Sequence, residues 1–167
     1  IIPKYSANRH DLKTVWLSTE FDDDHKKLST YLTQKGIQIN LNAQPNNEDL
    51  ILIANYGDDA THSAQRLGVN PEHVVCIDML GNFEQCCTLM PSLLTQPKMI
   101  EAALDLFNQQ NSETIVIEES LGFVSQRVLA MVVNLACDMA QQKIATVKDI
   151  NAAVKLGLGY PFGPIEW

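Results

Sequence analysis

The stretch that most limits what this chain can fold into is an almost unbroken apolar run from Val124 to Ala140. At 100° per residue, Arg127, Asn134, Asp138, Gln141 and Gln142 fall on one narrow polar stripe. Val128, Leu129, Val132, Val133, Leu135, Ala136 and Met139 fill the wider arc opposite. A helix apolar over so much of its circumference needs cover on several sides. Roughly twenty residues at 1.5 Å rise span about 30 Å, the diameter of a small domain. A membrane span has a similar length, but Arg127, Asn134 and Asp138 interrupt this run and argue against one. The expectation is a buried central helix.

A second, shorter amphipathic segment runs from Thr146 to Leu156. Thr146 followed by Asp149 is a capping-box-like start, and Ile150, Ala153, Val154 and Gly157 keep the spacing of a helix that docks by one face. Gly157, Gly159, Pro161, Gly163 and Pro164 end that helix in tight turns.

Upstream, short apolar runs alternate with helical patterns. Thr14 to Leu17 predicts a strand, and Asp22, Asp23 and Asp24 lead a helix that ends at Gly36. Ile37 to Leu41 predicts the next strand. Asp49 to Ala54 is continuously apolar after its first residue, as in a strand buried on both faces. A helix over 58–67 stops at Gly68, a strand follows over 74–77, and Thr95 is expected to cap a helix with Pro97 in its first turn. A last strand over 114–117 leads into the helical region. This alternation implies an α/β fold, a reduced Rossmann-like, mainly parallel sheet with helices on its faces. The expected division is an arm or linker over 1–12, a degenerate α/β domain over 13–118, and a helical region over 119–167.

Two motifs carry a family resemblance. Ser120-Leu121-Gly122-Phe123-Val124-Ser125-Gln126-Arg127 and Leu156-Gly157-Leu158-Gly159-Tyr160-Pro161-Phe162-Gly163-Pro164 closely resemble the C-terminal domain of 3-hydroxyacyl-CoA dehydrogenases, in order and in separation. The nearest likeness is to the long bacterial members, which carry a second, altered copy of the dehydrogenase unit. This chain looks like that copy, a piece of a longer protein. The resemblance implies a cytoplasmic, NAD-dependent parent enzyme that oxidises (S)-3-hydroxyacyl-CoA to 3-oxoacyl-CoA in fatty-acid or aromatic-acid breakdown. It also implies partners: the acyl-CoA substrate, and the first dehydrogenase copy or another subunit. Gly122, Phe123, Arg127, Gly159, Tyr160, Pro161, Gly163 and Pro164 are candidates for a substrate or interface role, and the wide apolar helix implies self-association.

The family's catalytic positions are altered. Its His base follows a strand, and the Glu that orients it lies twelve residues on. Aligned on Val74-Val75-Cys76-Ile77, those places hold Asp78 and Met90, and an Asn of the later motif is Gln126 here. A carboxylate with a reference pKa near 3.9 is a poor base for an alcohol at neutral pH, and methionine accepts only weak hydrogen bonds. No intact catalytic set is expected.

The nucleotide turn is altered too. A dinucleotide site needs a glycine-rich turn after the first strand. Here that turn reads Ser18-Thr19-Glu20-Phe21-Asp22-Asp23-Asp24, with four carboxylates and no glycine. No cofactor is expected in this segment. Asp78, at a strand's C-terminal end, either contacts a ligand, as in a regulatory small-ligand module, or caps the turn that follows.

The net charge of −8 disfavours nucleic acid and anionic membranes. Cys76, Cys86, Cys87 and Cys137 form no Cys-x-x-Cys pair, so no metal site is expected. Cys76 and Cys137 read as small core residues. Cys86-Cys87 are either two ordinary thiols or a redox pair. His10, His25, His62 and His73 stand in polar surroundings and read as solvent-facing. Arg127 and Asp138 mark either an interfacial salt bridge or a solvated stripe.

Overall fold

The computed structural model describes residues 14–108 and 113–167, so the expected N-terminal arm and His10 lie outside the described residues. The chain divides after Phe123 into two compact units. The boundary expected from the sequence, after residue 118, falls in the short segment that enters the second unit.

The first unit holds a six-stranded sheet. Its elements are β1 (Thr14–Thr19), α1 (Asp22–Gln34), β2 (Gln38–Asn40), β3 (Leu50–Ala54), α2 (Ala60–Leu67), a 3-10 turn (Pro71–His73), β4 (Val74–Ile77), β5 (Cys86–Pro91), α3 (Pro97–Phe107) and β6 (Glu113–Val116). The strands lie in the order β2-β1-β3-β4-β5-β6. All neighbours run parallel except β4 and β5, which are antiparallel. The antiparallel strand is not among those read from the sequence. Its six residues, Cys86 to Pro91, alternate only loosely between exposed and buried.

Every residue of β3 is buried, and side chains on alternate positions face two different clusters. Leu50, Leu52 and Ala54 join Leu28 and Leu32 of α1 and Met99, Ile100 and Phe107 of α3 on one face. Ile51 and Ile53 join Ala60 and Ala64 of α2 and Phe123 on the other. The sheet is thus a layer between helices, which accounts for its continuous apolar runs. Tyr31 stacks on Phe107 with centroids 5.5 Å apart and donates to the Leu106 carbonyl, locking α1 to α3.

Local signals set the helix ends. The three aspartates occupy the first turn of α1, where the dipole favours anions. Gly68 terminates α2 with φ +66°, and Gly36, after α1, has φ +74°. Two smaller expectations fail. Thr95 does not cap α3: Gln96 precedes that helix without a side-chain cap. The Thr95 hydroxyl instead donates to the Val74 carbonyl at 2.6 Å and accepts from the Ser92 N–H. His73 is buried, not solvent-facing, with Nδ1 3.2 Å from the Asp49 carbonyl. Both side chains answer to groups more than 20 residues away.

The second unit contains α4 (Val124–Gln141) and α5 (Val147–Leu158). The cap of α5 is as read: the Thr146 hydroxyl accepts from the Asp149 N–H at 3.2 Å. The helix passes through Gly157 and ends with Gly159 at φ +71°. Of the expected docking positions Ile150 is buried, whereas Ala153 and Gly157 are exposed. The expectation of a buried central helix is overturned. On α4 only Ala136 is buried, and Cys137, read as a core residue, is exposed. Of the apolar arc, Leu129, Val132, Val133 and Met139 are half-buried and Ala136 is buried, whereas Val128 and Leu135 are exposed. No described helix is long and apolar enough to cross a membrane.

Candidate functional site

In an open α/β sheet, ligands bind beyond the C-terminal ends of the strands, where the chain switches direction across the sheet. Here β2 lies on one side of β1 and β3 on the other, so the switch point is the gap between β1 and β3. Thr19 and Ala54 are paired at its rim. Phe21 and Tyr56 each follow two residues later. Their rings meet edge to face with centroids 5.2 Å apart. The Tyr56 hydroxyl donates to Asp24 Oδ2 at 2.7 Å, and Asp24, in the first turn of α1, is 5% exposed. Burial, the bond to Asp24, and the charges of Asp24, Asp78 and Glu20 all push the Tyr56 phenol well above its ordinary range.

The N-terminus of α2 also holds protein carboxylates. Asp59 caps it, accepting from the His62 N–H at 2.6 Å. Glu119 accepts from the Thr61 N–H and hydroxyl and also from the Leu93 N–H at 2.9 Å. Asp58 receives His62 Nδ1 at 2.7 Å. Its carboxyl is pulled below the usual range, since bonds from His62, the Asp59 N–H and Ser63 outweigh the opposing effect of burial. Arg66 reaches Asp58 at 3.8 Å and Glu20 at 3.6 Å. Asp59 and Glu119 thus satisfy the Thr61 and His62 N–H groups in the first turn of α2 from within the chain.

Of the positions aligned with the family's catalytic pair, Met90 lies on β5 and Asp78 directly follows the neighbouring antiparallel strand β4. Cys76 pairs with Met90, and the Asp78 N–H donates to the Thr88 carbonyl at 3.0 Å. Met90 is fully buried in the α2-facing cluster, and its sulfur lies 3.3 Å from the Ser120 N–H. Asp78 is 8% exposed, and its Oδ1 accepts from the Leu80 N–H at 3.1 Å. This is an Asx turn, the capping role weighed from the sequence. His73 precedes β4 and Asp78 follows it, so they stand roughly 16 Å apart at 3.3 Å per residue. His25 and His62 are exposed. The thiols of Cys76 and Cys87 are pushed up by burial, which disfavours the thiolate that a nucleophile or metal ligand needs. Among the described residues no group of three or more His, Cys, Asp or Glu side chains is placed to hold a metal ion.

The remaining predicted positions fall into two groups. Gly122 and Phe123 close the first unit. Gly122 has φ +73° and donates to the Asp58 carbonyl at 3.1 Å; Phe123 is fully buried beside Ile51 and Ile53. Gln126 and Arg127 lie in the first turn of α4, half-buried and exposed respectively. Gly159 caps α5, Tyr160 is half-buried and Pro161 is exposed. Gly163 and Pro164 are buried against the helix. Asn151 Oδ1 accepts from the Ile165 N–H at 3.0 Å, and Glu166 accepts from the Gly163 N–H at 2.8 Å.

Residues 122–167 match the family described as 3-hydroxyacyl-CoA dehydrogenase, C-terminal domain. The chain is 30% identical over 120 residues to 3-hydroxyadipyl-CoA dehydrogenase of Escherichia coli K12, covering 72% of this chain and 24% of that protein. The chain belongs to the 3-hydroxyacyl-CoA dehydrogenase family. It spans about a quarter of the length of the curated relatives it matches. A solved 3-hydroxybutyryl-CoA dehydrogenase from E. coli K12 aligns with TM-score 0.56 at 30% identity, over 70% of this chain and 24% of that one. The fold alone extends further. An (S)-3-hydroxybutyryl-CoA dehydrogenase from Ralstonia eutropha aligns with TM-score 0.64 at 21% identity, over 92% of this chain and 52% of that structure.

The Phe21–Tyr56 pair and the Asp24 contact are not legible in the sequence. Phe21 stands in the quoted turn, but nothing local indicates that its ring meets one 35 residues away.

Proposed function

We propose that this chain is the C-terminal, catalytically altered dehydrogenase unit of a longer, cytoplasmic 3-hydroxyacyl-CoA dehydrogenase. The parent enzyme oxidises (S)-3-hydroxyacyl-CoA to 3-oxoacyl-CoA with NAD as hydride acceptor. This unit contributes assembly and walls of the acyl-CoA cleft.

The observation that carries the reading is the Phe21–Tyr56 ring pair, tied to Asp24, at the β1–β3 gap. A dinucleotide would lay its pyrophosphate at this gap, against free N–H groups at the N-terminus of α1. The chain offers Asp22, Asp23 and Asp24 in that turn, so a phosphate would meet like charge. The residues present do not fit NAD. Proton abstraction is equally unsupported, because Asp78 is engaged with the Leu80 N–H and Met90 cannot orient a base. Asp78's engagement likewise weakens the alternative of a regulatory ligand site beside it.

The test is calorimetric titration of NADH into the chain, with an assay on 3-hydroxybutyryl-CoA. No binding and no turnover are expected. Asp78→His with Met90→Glu should restore neither, although a positioned base is ordinarily worth about 10²–10⁴-fold. Micromolar NADH affinity in the unaltered chain overturns the reading.

A further inference from the structure

The segment that follows β6 has no regular secondary structure, yet it is tied to distant parts of the first unit. Its two ends are pinned: the Ile117 N–H donates to the Leu89 carbonyl at 2.9 Å, and Phe123 is fully buried. Between them, Glu119 accepts from the Thr61 N–H, the Thr61 hydroxyl and the Leu93 N–H, on segments 58 and 26 residues away. The Ser120 N–H donates to the Met90 sulfur at 3.3 Å. The Gly122 N–H donates to the Asp58 carbonyl at 3.1 Å.

We infer that residues 118–122 form a strap latched by Glu119, which opens and closes as one unit while the sheet beneath it stays folded. Segments that open locally are those with few buried apolar contacts. Here Glu118 and Leu121 are exposed, and Glu119 and Ser120 are half-buried. The hold on Glu119 is charge-assisted and strong for its size, whereas the Met90 thioether is a weak acceptor. An opposing force is built in. Glu119 and Asp59 line one surface hollow of about 410 Å³, with Thr61, His62, Gln65 and Leu93, so closing the strap brings two carboxylates together. The bonds share a short stretch of backbone and are therefore coupled: when Glu119 leaves, Ser120 and Gly122 lose the geometry for theirs. Closed, the strap fills the donors of Thr61 and Leu93 that face the hollow. Open, it bares them. This device lies beyond the catalytic reading and does not rest on it.

Residue-resolved amide hydrogen exchange by NMR on the whole chain tests this. Four amides report the closed strap: Thr61, Leu93, Ser120 and Gly122. The Leu52 and Ile53 amides of β3 report unfolding of the sheet and serve as the control within each sample. In the unaltered chain the four should exchange at a common protection level, below that of β3. Glu119→Gln removes the charge that latches the strap, and should speed all four about tenfold while leaving β3 unchanged. Met90→Leu keeps the volume but strands the Ser120 N–H. It should likewise speed all four about tenfold, including Thr61 and Leu93, which Met90 does not bond. The two variants act from opposite sides of the strap, so the coupling is tested even if one of them fails to fold. Four amides that exchange at the rate of β3 in the unaltered chain overturn the inference. So does a response confined to Thr61 and Leu93 in Glu119→Gln, or to Ser120 in Met90→Leu, since the bonds would then be independent.

Discussion

Gly122 is where a single added side chain should be felt most. It has φ +73°, is buried, and leads directly into Phe123, which is fully buried beside Ile51 and Ile53. Its N–H donates to the Asp58 carbonyl at 3.1 Å, joining this turn to the entry of α2. A residue with a Cβ has two routes open to it. It can keep the left-handed conformation, at about 1–2 kcal/mol for alanine and up to about 3 kcal/mol for a β-branched residue. Or it can rotate to negative φ and break the bond to Asp58, a net loss of about 0.5–1.5 kcal/mol that also displaces Phe123 from its cluster. Neither route is free, so Gly122→Val should cost more than Gly122→Ala, and both should be destabilising. A loss of about 2 kcal/mol corresponds to about 4–8 °C in Tm for a chain of this size. Trp16, on β1, reports unfolding of the sheet by fluorescence, and a Trp167→Phe background removes the second tryptophan. Gly81→Ala is the control, since Gly81 has open space around the added Cβ and no positive φ. If Gly122→Val melts within a degree of that control, the argument from backbone conformation is wrong.

Two further outcomes follow from the same geometry. A Cβ on Gly163 would lie 2.4 Å from the Asn151 Cβ. Gly163→Ala should therefore displace Asn151 from the Ile165 N–H and destabilise the second unit by about 1–3 kcal/mol, whereas Gly157→Ala, in open space within α5, should stabilise it slightly; equal melting temperatures would refute this. Asp49, fully buried, is pushed up by burial but pulled down further by bonds from Thr14, Asn40 and the Asn46 N–H and by the charge of His73, so its folded pKa lies below its ordinary value. Its stabilisation is complete above the unfolded value near 3.9 and is lost as pH falls through the lower folded value. Denaturant titrations between pH 5 and pH 2 should therefore show a shallower loss for Asp49→Asn than for the unaltered chain, and parallel curves would refute the assignment.

The alternation of strands and helices, the helix stops at Gly36 and Gly68, the acidic first turn of α1 and the Thr146 cap were all readable in the sequence. Each depends on groups within a few residues, or on a repeat along one element. The doubly buried β3 was readable for the same reason: five apolar residues in succession leave no polar face. The family motifs at Ser120–Arg127 and Leu156–Pro164 were likewise local. What the tertiary structure decided rests on pairings between distant segments. The strand Cys86–Pro91 exists because β4 and β6 present edges to it. His73 is buried because the Asp49 carbonyl lies beside it, and Thr95 leaves its helix because Val74 offers an acceptor. The ring contact at the rim of the β1–β3 gap and its tie to Asp24 need Phe21 and Asp24 to meet Tyr56 from a segment more than 30 residues away. For α4, the sequence established that an apolar face exists, because periodicity is a property of one helix. Whether that face is covered depends on what packs against it: among the described residues Leu129, Val132, Val133, Ala136 and Met139 are at least half-buried, while Val128 and Leu135 are exposed.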